Sequence, residues 1–560
     1  MSRTLFWYIF KDLIRIFGLA SGALSAIMSF GGLLRPLYEF GLDIGQVGAI
    51  LGWSGPAMTA YSLPIAALFA TTIVYGRFGA DNEITACRAA GISHLSMALP
   101  ALILGALTAL ISLVLLCFVV PYSMLKVERI IYSNIASLVA GQIERAHQIN
   151  FYQSNKPITI FAQGAKVLPP DPKHPGDQAV QLYGPVFVQY LQSEKGKPLV
   201  PNDFYTASVA TAYIRQDEAD DQMSMQAELV GGMRFPRAFL GGEKNLQMSI
   251  EKTVFGPVAL PSPVRENTKF MDFFKLKAVR AQPEKSRRVR QSLDEFITRD
   301  QQTQYLQALA DQLNNDPEHN AYINGSGEQY VLTRGSAAAQ VQRDKLLLGG
   351  ELGGSAARLV QIRNGQTVLD VTANDVRIRA TPDSERRRID VDIEMFDCTV
   401  KAGEEGSARH NFTRPITVAM PEEVLALTQR PASEYLTSRL SADDRNRLQR
   451  DLYKLNNSII SEMYARVSFA VSCFILVAVG CALGMMFRSG NFLSAFAVSV
   501  IPALMCIALI VTGQHTAENV PAPLPANWTN TLGLGLGLIW SGNAIVLAAA
   551  VVLLGRLQRQ

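Results

Sequence analysis

The chain carries no recognisable catalytic or metal-binding signature. Its six histidines (His94, His147, His174, His319, His410 and His515) are scattered through 560 residues without ligand spacing. Its six cysteines form no CxxC pair. Cys117, Cys473, Cys481 and Cys506 fall inside apolar runs, Cys87 in a short polar loop and Cys398 in the polar middle. Neither a zinc centre nor a disulfide framework is supported. The phosphate-cradling GxxxxGK[ST], the HExxH helix and the GxSxG elbow are all missing, so no enzyme site and no cofactor are expected. Lysine and arginine are not gathered into a stripe with interleaved aromatics, and the formal net charge is only +4, so nucleic acid is not an expected partner.

What the chain has instead is long apolar runs at its two ends around a polar middle. A membrane helix needs roughly 20 apolar residues. Six runs qualify: Ile16–Leu34, Val47–Val74, Leu95–Val120, Val467–Phe487, Phe492–Thr512 and Leu532–Leu554. None contains Asp, Glu, Lys or Arg, which disfavours an ion-coupled carrier working through buried carboxylates. The first run lacks a small-residue cleavage site after it and reads as a retained span. If the chain works across a membrane, ATP hydrolysis must take place on another chain.

Flanking charge sets the orientation. Arg3, Lys11, Arg15, Arg77, Arg88, Arg488, Arg556 and Arg559 all fall on one side of a six-pass arrangement, which the positive-inside rule makes cytoplasmic. Both termini are then cytoplasmic, and the segment between spans three and four lies outside. The expected architecture is an α-helical membrane protein of 3+3 spans with a large external β-rich, jelly-roll-like domain between spans three and four. Residues 1–122 and 461–560 form the membrane halves, and 123–460 the external domain. Glycines four apart, Gly18/Gly22, Gly480/Gly484 and Gly533/Gly537, are candidates for close helix approach.

The external segment reads mainly as strands. Met223, Met225, Ala227 and Leu229 alternate with polar residues, as do Leu246, Met248 and Ile250, and later Ile389, Val391, Ile393 and Met395. Ala212–Arg215 and Val376–Arg379 echo one another, each preceding a polar turn and an alternating strand. This predicts two β units, the second at about 355–420, flanking a helical insertion at about 285–345. The capping-box spacing of Ser292 and Glu295 marks the start of that helix, and glycine-rich Ser326–Gly354 reads as loop. A further helical stretch, Asp443–Ile460, leads to span four.

The cytoplasmic loop Tyr75–Ser93 is the most informative short stretch. Asp81 suits a helix N-cap, Glu83 the first turn, and Gly91 the stop of a helix of about nine residues. Ile84, Cys87 and Gly91 share a face that a partner groove would cover, and Arg77, Glu83 and Arg88 would pair with its rim. A solvated turn whose charges simply follow topology fits the same residues.

The stretch GRFGADNEITACRAAGIS resembles the coupling segment of the LptF/LptG permease family of lipopolysaccharide export. So do Glu462–Arg466 entering span four, Gly480–Gly484, Arg488–Asn491 and the proline- and tryptophan-containing Asn519–Asn530 before span six. The resemblance implies a permease half that pairs with a second half, homologous or identical, and with a cytoplasmic ABC ATPase dimer. Such permeases draw lipopolysaccharide or a related lipid from the bacterial inner membrane to a periplasmic β-jelly-roll bridge. It places Glu83 in the ATPase groove with Asp81, Arg77, Arg88 and Gly91 around it. The first and fifth spans border the lipid entrance, and the external sheet receives acyl chains, tested at Met225 or Ile250. Arg35 would meet lipid phosphates at the outer end of span one; a snorkelling arginine fits equally. The external region is longer than one jelly roll needs. The alternative is a non-transporting scaffold that couples an ATPase to envelope machinery.

Overall fold

The structure, a computed structural model, describes the chain apart from residues 1–2, 41–43, 133–134, 152–157, 170, 173–175, 192–199, 218–221, 237–247, 261–266, 326–327, 343–344, 350–355, 364, 384–386, 403–404, 427–441, 487–491, 522–530 and 560. Two compact units result, one of residues 1–283 with 450–560, the other of 284–449.

The first unit contains six helices long and apolar enough to cross a membrane. In chain order they are α1 (Arg3–Phe40), α2 (Ile44–Ala80), the third span, then α10 (Ala442–Met486), α11 (Phe492–Glu518) and α12 (Thr531–Arg559). The short α3 (Glu83–Ala89) links spans two and three. The third span is α4 (His94–Val114), a π turn at Leu115–Val119, and α5 (Val120–Tyr132). The helical stretch expected at Asp443–Ile460 is continuous with span four in α10.

Helix α10 is the most enclosed, with 83% of its apolar stretch buried against 17% in α1, 33% in α11 and 28% in α12. Its glycines explain the fit. A Cβ on Gly480 would stand 2.4 Å from Thr71 Oγ1 and 2.9 Å from the Leu68 carbonyl oxygen. On Gly484 it would stand 2.9 Å from Tyr75 Cβ and 3.0 Å from the Thr72 carbonyl oxygen. Only glycine lets α10 lie this close to α2. The other two expected pairs behave differently. Gly18, Gly22 and Gly537 face open space, and the α11–α12 approach uses Gly513 against Gly535, the opposite face of α12 from Gly537.

Beyond α5, α6 (Ile135–Ala146) packs on an antiparallel sheet that begins with β1 (Gln148–Phe151), β2 (Ile158–Phe161), β3 (Gly164–Leu168), β4 (Gln178–Tyr183) and β5 (Val186–Leu191) and continues with β6–β8. Its order is β1-β2-β5-β6-β4-β3, with β7 beside β6 and β8 beside β7. The long β6 (Val200–Asp217) carries β5 along its first part and β4 along its second, while β7 (Gln222–Pro236) covers its other edge. A short helix α7 (Phe273–Ala281) follows β8 (Met248–Leu260).

The second unit repeats the plan with β9–β16. The long β14 (Gln366–Asp383) carries β13 (Ala357–Arg363) then β12 (Lys345–Gly349) on one edge, β15 (Arg388–Ala402) on the other, and β16 (Glu405–Ala419) beyond. The sequence echo now has a physical meaning: Ala212–Arg215 and Val376–Arg379 occupy the same place, the second part of the long strand in each sheet. The alternating residues point inward as expected, with Met223, Met225, Ala227 and Leu229 buried in one sheet and Ile389, Val391, Ile393 and Met395 in the other. The side chains of Leu246, Met248 and Ile250 lie outside the described residues.

The insertion needs correcting. Its helix, α8, runs over Arg287–Asn315 behind Ser286, so Ser292 is a buried mid-helix residue and not a cap. Strands begin already at Asn320, where β9 (Asn320–Gly325) and β10 (Glu328–Thr333) form a hairpin, followed by β11 (Gln340–Gln342) and β12. Much of the stretch read as loop is therefore short strands, and alternate residues of the hairpin, Ala321, Ile323, Tyr330 and Leu332, are buried. Gln301 of α8 donates to the Val424 carbonyl at 3.1 Å, and Arg299 pairs with Asp444 at 2.7 Å.

Gly480→Val should cost about 2 kcal/mol through overpacking against α2, read as a lowered Tm in detergent. Gly537→Val, facing open space, should leave Tm within a degree or so of wild type.

Candidate functional site

The loop between spans two and three is built by a tight backbone reversal. Asp81 N–H still donates to the Arg77 carbonyl at 2.9 Å, so Asp81 finishes α2 and does not cap α3. Asn82 takes that position, in the left-handed region at φ 59°, which asparagine tolerates better than most residues. At the other end Gly91, at φ +79°, donates to Arg88 at 2.9 Å while Ile92 donates to Cys87 at 3.0 Å, a Schellman closure. The helix is therefore seven residues long.

Its inward face is already occupied. Ile84 is buried with Ile9, Tyr75, Phe78 and Met97, and Cys87 and Ile92 pack on the same cluster. Ile84 and Cys87 thus anchor the helix to its own bundle, a correction to the expectation that a partner covers them. The Tyr75 hydroxyl, fully buried, donates to the Met97 carbonyl at 2.7 Å and ties α2 to α4. The exposed side presents Asp81, Asn82, Thr85, Ala86, Ala89 and Gly91.

The loop is also joined to α1. Arg77 pairs with Asp12 and lies 5.4 Å over the Phe78 ring, on which Tyr8 stacks at 5.6 Å. The Tyr8 hydroxyl reaches Glu83 Oε1 at 3.5 Å, a long contact that leaves Glu83 half-exposed. The expected residues Arg77, Asp81, Glu83 and Arg88 therefore sit on one small surface, with Tyr8 and Asp12 of α1 as members that were not anticipated. Arg35 lies within α1, with its side chain outside the described residues, as is all of 488–491.

At the opposite end of the bundle the Glu462–Arg466 motif, to which the sequence assigns no role, is the centre of a polar cluster. Arg466 donates through Nε to Glu462 Oε1 at 2.8 Å, and through Nη2 to the carbonyls of Thr268, Lys269 and Met271 at 3.2, 3.1 and 2.8 Å. Gln514 of α11 donates to Glu462 Oε2 at 2.7 Å. Both charged residues are under a tenth exposed. Around them Asn457 donates to the Ala517 carbonyl, Ser458 to Glu518, and Ser468 to the Ile539 carbonyl, while Asn543 donates back to Ser468. Helix α10 is thus pinned by side chains to α11, α12 and the segment entering α7. The Glu462–Arg466 spacing of four residues was a legible signal, but the apolar run was counted from Val467.

Met225, the inward sheet position, is packed into a filled core with Phe187, Leu229 and Phe255. Among the described residues no group of histidine, cysteine, aspartate or glutamate side chains is arranged to hold a metal ion.

A protein-family model described as lipopolysaccharide export system permease LptF/LptG matches residues 7–167 and 349–543, well over half of the chain. The matched segments contain the six spans in large part, the loop, β1, β2 and most of β3, and β13–β16; the interval between them contains β4–β11, α7 and α8. No curated protein matches the chain.

Removing one partner of the buried pair, by Glu462→Ala or Arg466→Ala, should destabilise the bundle by about 3–5 kcal/mol. The double replacement Glu462→Leu/Arg466→Leu should cost less than the sum of the two single changes, measured as a double-mutant cycle of unfolding in detergent.

Proposed function

Because the chain belongs to the LptF/LptG family of lipopolysaccharide export permeases, we propose that it is one permease half of an ABC transporter whose ATPase dimer docks on the Tyr75–Ser93 loop. The observation that carries this reading is the construction of the loop. Helix α3 is fixed to the bundle by buried Ile84 and by the Tyr75–Met97 bond, yet it keeps an exposed face of small residues edged by Asp81, Glu83, Arg77 and Arg88. A rigidly mounted, shallow face transmits force, whereas a solvated turn would need no such anchoring.

The route of that force follows the contacts. Arg77–Asp12 and Tyr8–Phe78 join the loop to α1, and in this family the first span borders the lipid entrance. Displacement of α3 by the ATPase therefore moves α1 with it. The exposed faces of α1 and α11, with open space at Gly18 and Gly22, are where the second permease half packs and where lipid enters. The loop side and both termini are cytoplasmic. The sheets are periplasmic and deliver lipopolysaccharide or a related lipid to a β-jelly-roll bridge protein. The chain itself contributes no catalytic residue; hydrolysis is the partner's chemistry.

Glu83→Lys reverses a charge at the edge of this face. Co-purification of the ATPase with a tagged chain should fall on the order of tenfold, as for turning an attractive interface charge into a repulsive one, and lipid-stimulated hydrolysis should fall with it. Undiminished ATPase capture by the variant would overturn the docking assignment.

A further inference from the structure

The described residues contain a second place suited to lipid, whose lining takes no residue from the first or fifth span. A cavity of about 610 Å³ opens at the sheet-side end of the bundle, between the third span, α10, α12 and α7. That volume lies in the range of sites that take a ligand of substantial size. Its wall is apolar, formed by Leu113, Phe118, Leu276, Met463 and Trp540 among others, and two cations interrupt it, Arg466 and Arg280.

Arg466 is the informative one. Its Nε and Nη2 are committed to Glu462 and to three backbone carbonyls, but Nη1 is buried with no hydrogen-bond partner. A buried guanidinium nitrogen left unpaired carries the full cost of its desolvation. The neighbouring Cys117, on the π turn, is close to the guanidinium, but a neutral thiol is a weak acceptor. The site therefore lacks an oxygen acceptor beside an apolar hollow.

The mouth adds the sign of charge. Arg466 is neutralised by Glu462, whereas α7 brings Lys275, Lys277 and Arg280, all exposed, and no acid within Phe273–Ala281. On the same helix Phe273 and Phe274 are exposed, and the Phe274 ring lies 6.3 Å from Phe118 of the third span. Exposed phenylalanines beside lysine and arginine are the composition of a helix lying in the membrane interface over anionic lipid.

We propose that this cavity holds one anionic phospholipid, with an acyl chain in the hollow, a phosphate or ester oxygen accepting from Arg466 Nη1, and the headgroup charge met by Arg280. No residue of the site lies on α1 or α11, so the bound molecule is a resident lipid and not the transported one, and the proposal stands apart from the export reading. By completing the Arg466 hydrogen-bond set, the lipid secures the segment that joins β8 to the bundle.

The test is native mass spectrometry of the full chain, delipidated in detergent and titrated separately with dioleoylphosphatidylglycerol and dioleoylphosphatidylcholine. One phosphatidylglycerol per chain should bind about tenfold more tightly than phosphatidylcholine, the scale expected of charge-assisted hydrogen bonds. Leu113→Trp, which fills the hollow, and Arg280→Glu, a surface change that leaves the core untouched, should each abolish that preference. Equal affinity for the two lipids in the wild-type chain, or unaltered phosphatidylglycerol binding by Arg280→Glu, would overturn the proposal.

Discussion

The arrangement of the whole membrane unit depends on one buried ion pair, Glu462 with Arg466, at the sheet-side end of α10. Two charges taken out of water are expensive, and their mutual attraction alone seldom recovers the cost. Here the remaining hydrogen-bonding capacity is spread over three carbonyls of the 268–271 segment and over Gln514 of α11. The pair therefore acts as a register device. It fixes where the chain returning from the sheet meets the bundle and how α11 stands against α10, while the glycines below it set the distance to α2.

At the other end of the same bundle a different principle operates. The loop between spans two and three is anchored by apolar burial and one deep tyrosine hydrogen bond, and its charges remain near the surface. Exposed pairs such as Arg77–Asp12 contribute little to stability, yet they decide which helix moves with the loop. A tight junction on the sheet side and a lightly tethered α1 on the loop side give the permease an enclosed centre of α2 and α10, with the third span, α11, α12 and above all α1 more open to neighbours.

Much of this was legible from residue pattern. Charge-free runs gave the six spans because hydrocarbon admits little else, and strict alternation gave the strands, down to the matching of Ala212–Arg215 with Val376–Arg379. Errors came where two signals compete in short segments. Ser326–Gly354 reads as loop because turn residues outweigh short alternations, and Asp81 looks like a cap because the left-handed turn at Asn82 has no sequence marker stronger than asparagine itself. The role of the Glu462–Arg466 motif was not legible for a physical reason: the charge is neutralised locally, four residues away, but the remaining guanidinium donors are satisfied by carbonyls almost two hundred residues distant. Likewise the inward residues of the loop helix could be identified as apolar, but whether a partner or the chain's own bundle covers them is a question of packing.

The interruption of the family match at 168–348 takes in β4–β8 of the first sheet and the opening strands of the second, whereas the loop and the buried pair lie in the matched segments. On the proposed reading, this chain is the passive, force-receiving half of an ATP-driven lipid export machine. The most direct test of that reading is vectorial lipid release: the tagged chain captured with its native partners, reconstituted with lipopolysaccharide in proteoliposomes, and assayed for transfer to a soluble acceptor. Transfer that requires ATP and stops with vanadate is the predicted result; transfer at the same rate without ATP, or none despite active hydrolysis by the bound partner, would contradict the account.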